Sequence, residues 1–345
     1  MKKLVLIVSI LLALTTSAFA DKNADKNSSK LKIVATIFPQ YDWTREILGD
    51  KATNAELTLL VGNGVDLHSY QPSIQDIAKI STADIFIYVG GESDGWVKDA
   101  LKNARNKNMK VINLMETLGD KVKEEEIIEG MQAEEEEDHD EHDHDAEDHD
   151  HEAEGHHHHH HDDDEEVEYD EHVWLSVRNA KIICQKIASA LSEKDSANAG
   201  TYKANAAAYS AKLNKLDSDF AAAVKNGNKK TLLFGDRFPF RYFVDDYGLK
   251  YYAAFAGCSA ETEASFETVI FLAGKVDELG LNAVCKIEKG DGKIARTIVE
   301  NCKNKNARVL TLDSMQSVTK AQSAAGSTYL SLMENNLEVL KEALK

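Results

Sequence analysis

Short apolar runs rich in β-branched residues alternate with longer segments of helical periodicity along most of this chain. Four runs lie at residues 32–37, 57–61, 84–89 and 111–114, and four more at 231–234, 249–255, 282–287 and 309–312. Strands separated by helices need crossover connections, so the pattern predicts parallel sheets with helices on their faces. Because the alternation stops and then starts again after residue 230, we predict two α/β lobes.

A long segment of helical periodicity separates the two series of strands. It runs from Ala197 to Val224 without Pro, and its apolar residues recur at spacings of 7, 4, 3, 4 and 4, namely Tyr202, Tyr209, Leu213, Leu216, Phe220 and Val224. This stripe predicts one amphipathic helix, which is a stiff connection compared with a Gly/Ser linker. We therefore expect an N-terminal lobe at 31–196, a rigid connecting helix at 197–227 and a C-terminal lobe at 228–345.

The first twenty residues have the pattern of an export signal. Met-Lys-Lys precedes an apolar run from Leu4 to Leu14, and small residues lead to Ala18-Phe19-Ala20. This arrangement predicts a cleavable signal peptide over 1–20, with a retained membrane anchor as the alternative. Residues 21–30 are polar and are predicted to be a disordered leader. The mature chain is then expected in the periplasm, as a monomer.

The negative charge of the chain is concentrated in one segment. Of 59 Asp and Glu, 22 lie between Glu134 and Glu171, and the other 37 nearly balance 40 Lys and Arg. No stretch is clustered and basic, which argues against nucleic-acid binding. Residues 131–171 also hold eleven of the thirteen His. A charged spacer would explain the acids but not the His, so we interpret this loop as a collector of divalent transition metals.

Two His lie outside that loop. His68 follows the second predicted strand, at the carboxyl edge of a sheet, where open α/β folds place their ligands. His172 comes directly before a predicted helix, where the His-rich loop ends. The cysteines lack the close spacing of a structural zinc site, so we predict packing or disulfide roles without assigning pairs for Cys184, Cys258, Cys285 and Cys302.

Several motifs give the chain, from about residue 31 to its end, a resemblance to the periplasmic substrate-binding proteins of zinc and manganese ABC importers, the ZnuA-type and TroA-type proteins. The motifs are Asp66-x-His68-x-Tyr70-x-Pro72, His172-x-Trp174-Leu175, Phe240-Arg241-Tyr242-Phe243, Tyr247-Gly248-Leu249, Leu310-Thr311-Leu312-Asp313 and Tyr329-Leu330-Ser331-Leu332-Met333. The resemblance implies one ion in the cleft between the lobes, held by four side chains, and delivery of that ion to a membrane permease.

When the ligands of the family are mapped residue by residue onto this sequence, the resemblance implies that three of them are His68, His172 and Asp313. The family's third ligand, normally His or Glu, falls on Arg237, which cannot bind a cation, so the preceding Asp236 is the predicted substitute. Glu288 and the pair Glu261 and Glu263 remain alternatives. Two imidazoles and two carboxylates suit zinc or manganese, and the His-rich loop favours zinc.

Two other classes of protein share some of these features. A metallohydrolase would need an open coordination position and a general base, and the chain has no His-Glu-x-x-His, Gly-x-Ser-x-Gly or phosphate-loop motif. A secreted His-rich metal buffer would need no fixed site and no lobes. We therefore expect a binding protein that is not an enzyme.

Overall fold

Eight strands form two parallel four-stranded sheets. The structure is a computed structural model and describes residues 30–132, 168–259 and 263–345. The first sheet has the order β2-β1-β3-β4 and contains β1 (Leu31–Ala35), β2 (Ala55–Leu59), β3 (Ile85–Tyr88) and β4 (Lys110–Asn113). The second has the order β6-β5-β7-β8 and contains β5 (Thr231–Arg237), β6 (Lys250–Phe255), β7 (Ala283–Ile287) and β8 (Arg308–Leu312). All eight predicted strands are confirmed, and so are the two α/β lobes.

Eleven α-helices lie within the described residues. They are α1 (Phe38–Leu48), α2 (Ile74–Ser81), α3 (Val97–Lys102), α4 (Leu114–Leu118), α5 (Val177–Lys194), α6 (Ala199–Asn226), α7 (Arg241–Tyr247), α8 (Phe266–Leu279), α9 (Lys293–Asn301), α10 (Lys320–Ala324) and α11 (Tyr329–Ala343). None of the described helices is both long and apolar enough to cross a membrane.

Helix α6 is the predicted connecting helix. All six residues of its predicted stripe are buried, because α6 packs against α5 and α1 on one side and against α11 on the other. One continuous apolar cluster runs from β1 through α5 and α6 to β7 and α11. The two lobes therefore share a core. The rigidity of this connection and the lobe boundaries remain predictions.

Hydrogen bonds of buried groups also join the lobes. The Trp174 indole donates to the Ser314 carbonyl at 2.8 Å, and the Tyr329 hydroxyl donates to the Trp174 carbonyl at 2.8 Å. The Tyr329 backbone N–H donates to the buried Asp42 carboxylate at 2.7 Å. Since a buried polar group that loses its partner costs about 1–3 kcal/mol, these bonds fix how the lobes meet.

The strand order reverses at the same place in both sheets, beside β1 in the first and beside β5 in the second. Loops that leave neighbouring strands in opposite directions open a crevice at the carboxyl ends of the strands. The crevices of the two lobes contribute to one site, which is described below. The predicted signal peptide (1–20), the predicted leader (21–30) apart from Lys30, and residues 133–167 of the His-rich segment lie outside the described residues.

Candidate metal centre

His68 lies in a single 3-10 turn, Leu67–Ser69, in the loop after β2. The Asp66 side chain caps this turn by accepting the His68 backbone N–H at 3.1 Å. The ring nitrogen Nδ1 lies 2.7 Å from the Ser93 hydroxyl, in the loop after β3. With Nδ1 engaged, the other nitrogen, Nε2, is directed into the space between the lobes.

His172 is fully buried directly before the 3-10 turn Val173–Leu175, which leads into α5. The Asp170 carboxylate accepts both its backbone N–H, at 2.8 Å, and its Nδ1, at 3.0 Å. The Trp174 ring packs beside the imidazole at 5.2 Å between centroids. A carboxylate on Nδ1 fixes the tautomer that leaves Nε2 as the ligand atom, which is the arrangement of many metal-binding His.

The two imidazoles meet at these Nε2 atoms, which are 3.1 Å apart. Burial, and then the charge of His172, lower the pKa of His68 to about 3. Burial by itself would lower the pKa of His172, but the nearby carboxylates of Asp170, Glu171 and Asp66 raise it. His68 is thus held as a neutral imidazole. The structure brings together the two predicted His ligands, one atom of each facing a shared position.

Cys258 brings a third side chain of a ligand type close to this position. It follows β6 in the C-terminal lobe, and ligand atoms of His68, His172 and Cys258 all lie within 4.8 Å of one another. Among the described residues this is the group of His, Cys, Asp or Glu side chains compact enough to hold a metal. Burial, followed by the charges of Glu125 and Asp170, raises the pKa of the thiol.

A cavity of about 270 Å³ adjoins the group, and its walls are acidic. His68, Ser93 and Cys258 line it together with the carboxylate residues Glu92, Glu125, Glu168 and Glu171 and with Tyr169. Carboxylates around a low-dielectric cleft raise the local concentration of cations. Glu168, Tyr169 and Glu171 are among the last residues of the His-rich segment 131–171, so the end of this segment forms part of the cavity wall.

The predicted ligands Asp236 and Asp313 are not in the compact group. The Asp236 carboxylate accepts the backbone N–H groups of Arg237 at 2.9 Å and Ile287 at 3.2 Å. Asp313 accepts the N–H of Met315 at 2.8 Å, and burial and the Glu288 charge raise its pKa to about 7. Both lie at carboxyl ends of strands, as predicted. Their role as ligands remains a prediction.

The alternative carboxylates also lie outside the group. Glu288 accepts the Ser314 backbone N–H at 2.8 Å and the hydroxyls of Ser314 and Ser317 at 3.0 and 3.1 Å. Glu263 is exposed, and Glu261 lies outside the described residues. The hydrogen bonds of Glu288 stabilise the loop after β8, consistent with a supporting rather than a ligating position.

Arg237 forms an ion pair with Asp66 across the lobes, at 2.7 Å. Its guanidinium also donates to the Ser259 carbonyl at 3.3 Å. Burial alone would raise the pKa of Asp66, but the charge of Arg237 and its hydrogen bond lower it. Arg237 therefore neutralises the carboxylate that caps the His68 turn.

Gln316 connects the same carboxylate to His172. With its amide nitrogen oriented towards Asp66, it donates to the two oxygens at 2.8 and 3.1 Å, and its oxygen lies 3.1 Å from His172 Nε2. This orientation satisfies both ends of the amide when His172 carries a proton on Nε2, a proton that an ion bound at Nε2 would replace. Gln316 thus bridges the two lobes at the edge of the centre.

Sequence reasoning missed Cys258, Asp170 and Gln316. Cys258 follows β6 by three residues, so the carboxyl-edge argument used for His68 could have found it. Asp170 precedes His172 by two residues, a spacing with no distinctive signal. All four cysteines are free in the structure, so the disulfide alternative finds no support among them.

Gly257 permits the loop after β6 to approach His172 closely. A Cβ added there would lie 2.9 Å from the Phe238 carbonyl oxygen and 3.1 Å from His172 Cε1. We expect Gly257→Ala to lower the free energy of unfolding by about 1–3 kcal/mol, because a well-packed site tolerates extra volume poorly. In the matched control Gly274→Ala, within α8, nothing lies within 4 Å of the added Cβ.

Urea unfolding of both variants tests this expectation. Gly274→Ala should stabilise the protein by about 0.5–1 kcal/mol, since Ala is the better helix residue. Equal stability of the two variants would show that the loop after β6 does not press against His172.

Known proteins resemble this chain over most of its length. Residues 33–343 match the family described as ZnuA, zinc-uptake complex component A periplasmic. The zinc-binding lipoprotein AdcA of Streptococcus pneumoniae is 33% identical over 345 residues, which cover 99% of this chain and 61% of that protein. The chain thus spans about three fifths of this relative. The high-affinity zinc uptake system protein ZnuA of Bacillus subtilis is 28% identical, covering 97% and 94% of the two chains.

Solved structures show the same fold. The Zn(II)-bound ZnuA-like domain of Streptococcus pneumoniae AdcA is 28% identical with a TM-score of 0.66, over 91% of this chain and 99% of that one. The metal-dependent lipoprotein YcdH of Bacillus subtilis is 25% identical with a TM-score of 0.68, over 91% and 99%. The family match over nine tenths of the chain, on a fold that brings two isolated His together between its lobes, shows that this protein belongs to the ZnuA family.

Proposed function

We propose that this protein captures zinc outside the cytoplasm, in the periplasm, and delivers it to the permease of an ABC importer. The observation that carries the proposal is the convergence of His68 and His172, whose Nε2 atoms lie 3.1 Å apart in the space between the lobes. Family membership and zinc-binding relatives support a binding protein rather than the alternative metallohydrolase.

In this proposal His68 and His172 ligate the ion directly, and the carboxylates around the adjoining cavity attract it. Asp236 and Asp313 are proposed as further ligands, and each carboxylate also accepts a backbone hydrogen bond that would orient it. Manganese is the alternative cargo, but two imidazoles favour zinc over manganese in the general order of affinities.

The loop at 131–171 is proposed to gather ions weakly and pass them to the centre. Support comes from its eleven His and from its last residues, since Glu168 and Glu171 lie in the wall of the cavity. An acidic, His-rich segment beside an acidic cavity would keep divalent cations close to the fixed ligands.

Zinc titration of the whole chain and of a variant without residues 134–166 tests the proposal. We expect one tight site in both, further weak sites in the whole chain alone, and weaker binding of manganese at the tight site. At a thousandfold excess over Kd, zinc should stabilise the native state by about 4 kcal/mol and raise Tm. Loss of the tight site together with the segment would favour the buffer hypothesis, and tighter manganese binding would overturn zinc as the cargo.

A further inference from the structure

We propose that Cys258 is a direct sulfur ligand of the ion that His68 and His172 bind. This inference rests on the proposed function and names a donor for it. It is carried by geometry, because ligand atoms of the two imidazoles and the thiol lie within 4.8 Å of one another and Cys258 lines the adjoining cavity. An ion about 2.0–2.3 Å from each donor fits a group of this size.

The backbone around Cys258 is held in place on several sides. The Cys258 N–H donates to the Glu125 carboxylate at 3.0 Å, and the next carbonyl, of Ser259, accepts from Arg237 at 3.3 Å. On the preceding side Gly257 packs against the His172 ring. The thiol is therefore positioned by contacts with both lobes before any ion arrives.

With Cys258 as a ligand, the metal centre includes residues of both lobes. His68 and His172 both belong to the N-terminal lobe, so a site made of them alone would not involve the C-terminal lobe. Cys258 follows β6 in that second lobe. Arg237 carries a cation and pairs with Asp66, so it supplies no ligand. Among the described His, Cys, Asp and Glu side chains, Cys258 is the residue of the C-terminal lobe that belongs to the compact group with the imidazoles.

The coordination step is a simple exchange. The thiol proton leaves to solvent, the sulfur lone pair forms a bond to the divalent ion, and no group is oxidised or reduced. A centre of two imidazoles and one thiolate is softer than one of imidazoles and carboxylates. The centre that contains the thiolate should therefore prefer zinc and cobalt to manganese more strongly than a centre of imidazoles and carboxylates would.

Cobalt(II) reports directly on sulfur coordination. We would add one equivalent to the whole wild-type chain and to Cys258→Ala, and record the sulfur-to-cobalt charge-transfer absorption in the near ultraviolet. The His-rich loop contains no Cys, so ions bound there cannot produce this band. The matched control is Cys302→Ser, because the Cys302 thiol donates to the carbonyls of Val299 and Asn304 and a hydroxyl can replace it.

We expect the band in wild type and in Cys302→Ser and its loss in Cys258→Ala. The Cys258→Ala protein should bind zinc at least tenfold more weakly, since water enters the vacated position. Cys258→Ser, of similar size, should show the same loss of the band, which separates ligation from packing. Circular dichroism of each variant establishes that it is folded.

Two results would overturn the assignment. One is tight cobalt binding by wild type without the band. The other is a band that persists in Cys258→Ala. Either of these two results would leave the proposed capture of zinc unaffected. Absence of tight metal binding in wild type would instead contradict the proposed function itself.

Discussion

Replacing His172 by alanine is expected to weaken the tight zinc site by about 3 kcal/mol, or roughly 150-fold in Kd. The figure follows from about 10–16 kcal/mol for a zinc site of four ligands, divided among them. His172 is fully buried, so the cavity left by its ring has little access to a replacement ligand from solvent. Competition with a chromogenic zinc chelator at constant pH measures the change.

Two further variants test whether the loss of affinity in His172→Ala comes from the tight site. Asp170→Asn keeps the imidazole but weakens the bond to Nδ1, so it should cost about 10–100-fold, the usual effect of a residue that orients a ligand. His149→Ala, within the His-rich loop, should leave the tight site unchanged. Unchanged affinity in His172→Ala would place the tight site elsewhere.

Replacing Arg237 by alanine should destabilise the protein by about 3 kcal/mol in the absence of metal. Removing one partner of a buried ion pair leaves the other charge without compensation, at a cost of about 3–5 kcal/mol, and the partial exposure of Arg237 places it at the low end. Here the stranded charge is Asp66, which also caps the turn that holds His68. Urea unfolding at pH 7 measures the loss.

A matched control and a double variant distinguish this mechanism from a general loss of contacts. Arg178 pairs with Asp217 and Asp246 but is about half exposed, so Arg178→Ala should cost less than about 1 kcal/mol. Adding Asp66→Asn to Arg237→Ala removes the stranded charge and should restore part of the stability. If the double variant is less stable than Arg237→Ala, the pair is not the source of the effect.

The Asp66–Arg237 pair also predicts a dependence on pH. The pKa of Asp66 is lower in the folded protein than in the unfolded chain, so the pair stabilises the protein above about pH 4, the unfolded value, and this contribution is lost as the pH falls below it. In Arg237→Ala the burial of Asp66 is no longer opposed by the guanidinium, and its pKa should rise. The stability difference between wild type and Arg237→Ala should therefore shrink as the solution is acidified.

The sequence by itself determined the architecture of this protein. Eight strands, the buried stripe of α6 and the two-lobe division follow from local patterns, because a strand or helix buried on one side repeats its apolar residues with the period of its backbone. The two His were identified for a similar reason. They stand alone outside the His-rich loop and flank predicted elements, and the carboxyl edge of a parallel sheet gathers residues that are far apart in the chain.

The tertiary structure alone decided which side chains lie beside the two imidazoles. Asp236 and Asp313 lie at the predicted edges but outside the compact group, and the Asp236 carboxylate accepts the N–H of Ile287, 51 residues away. Arg237 forms an ion pair with Asp66, which lies 171 residues earlier in the sequence. Cys258 reaches the imidazoles because Gly257 lets its loop pack on His172. Such contacts depend on how two lobes are placed against each other through a shared core, and periodicity along one segment carries no information about that placement.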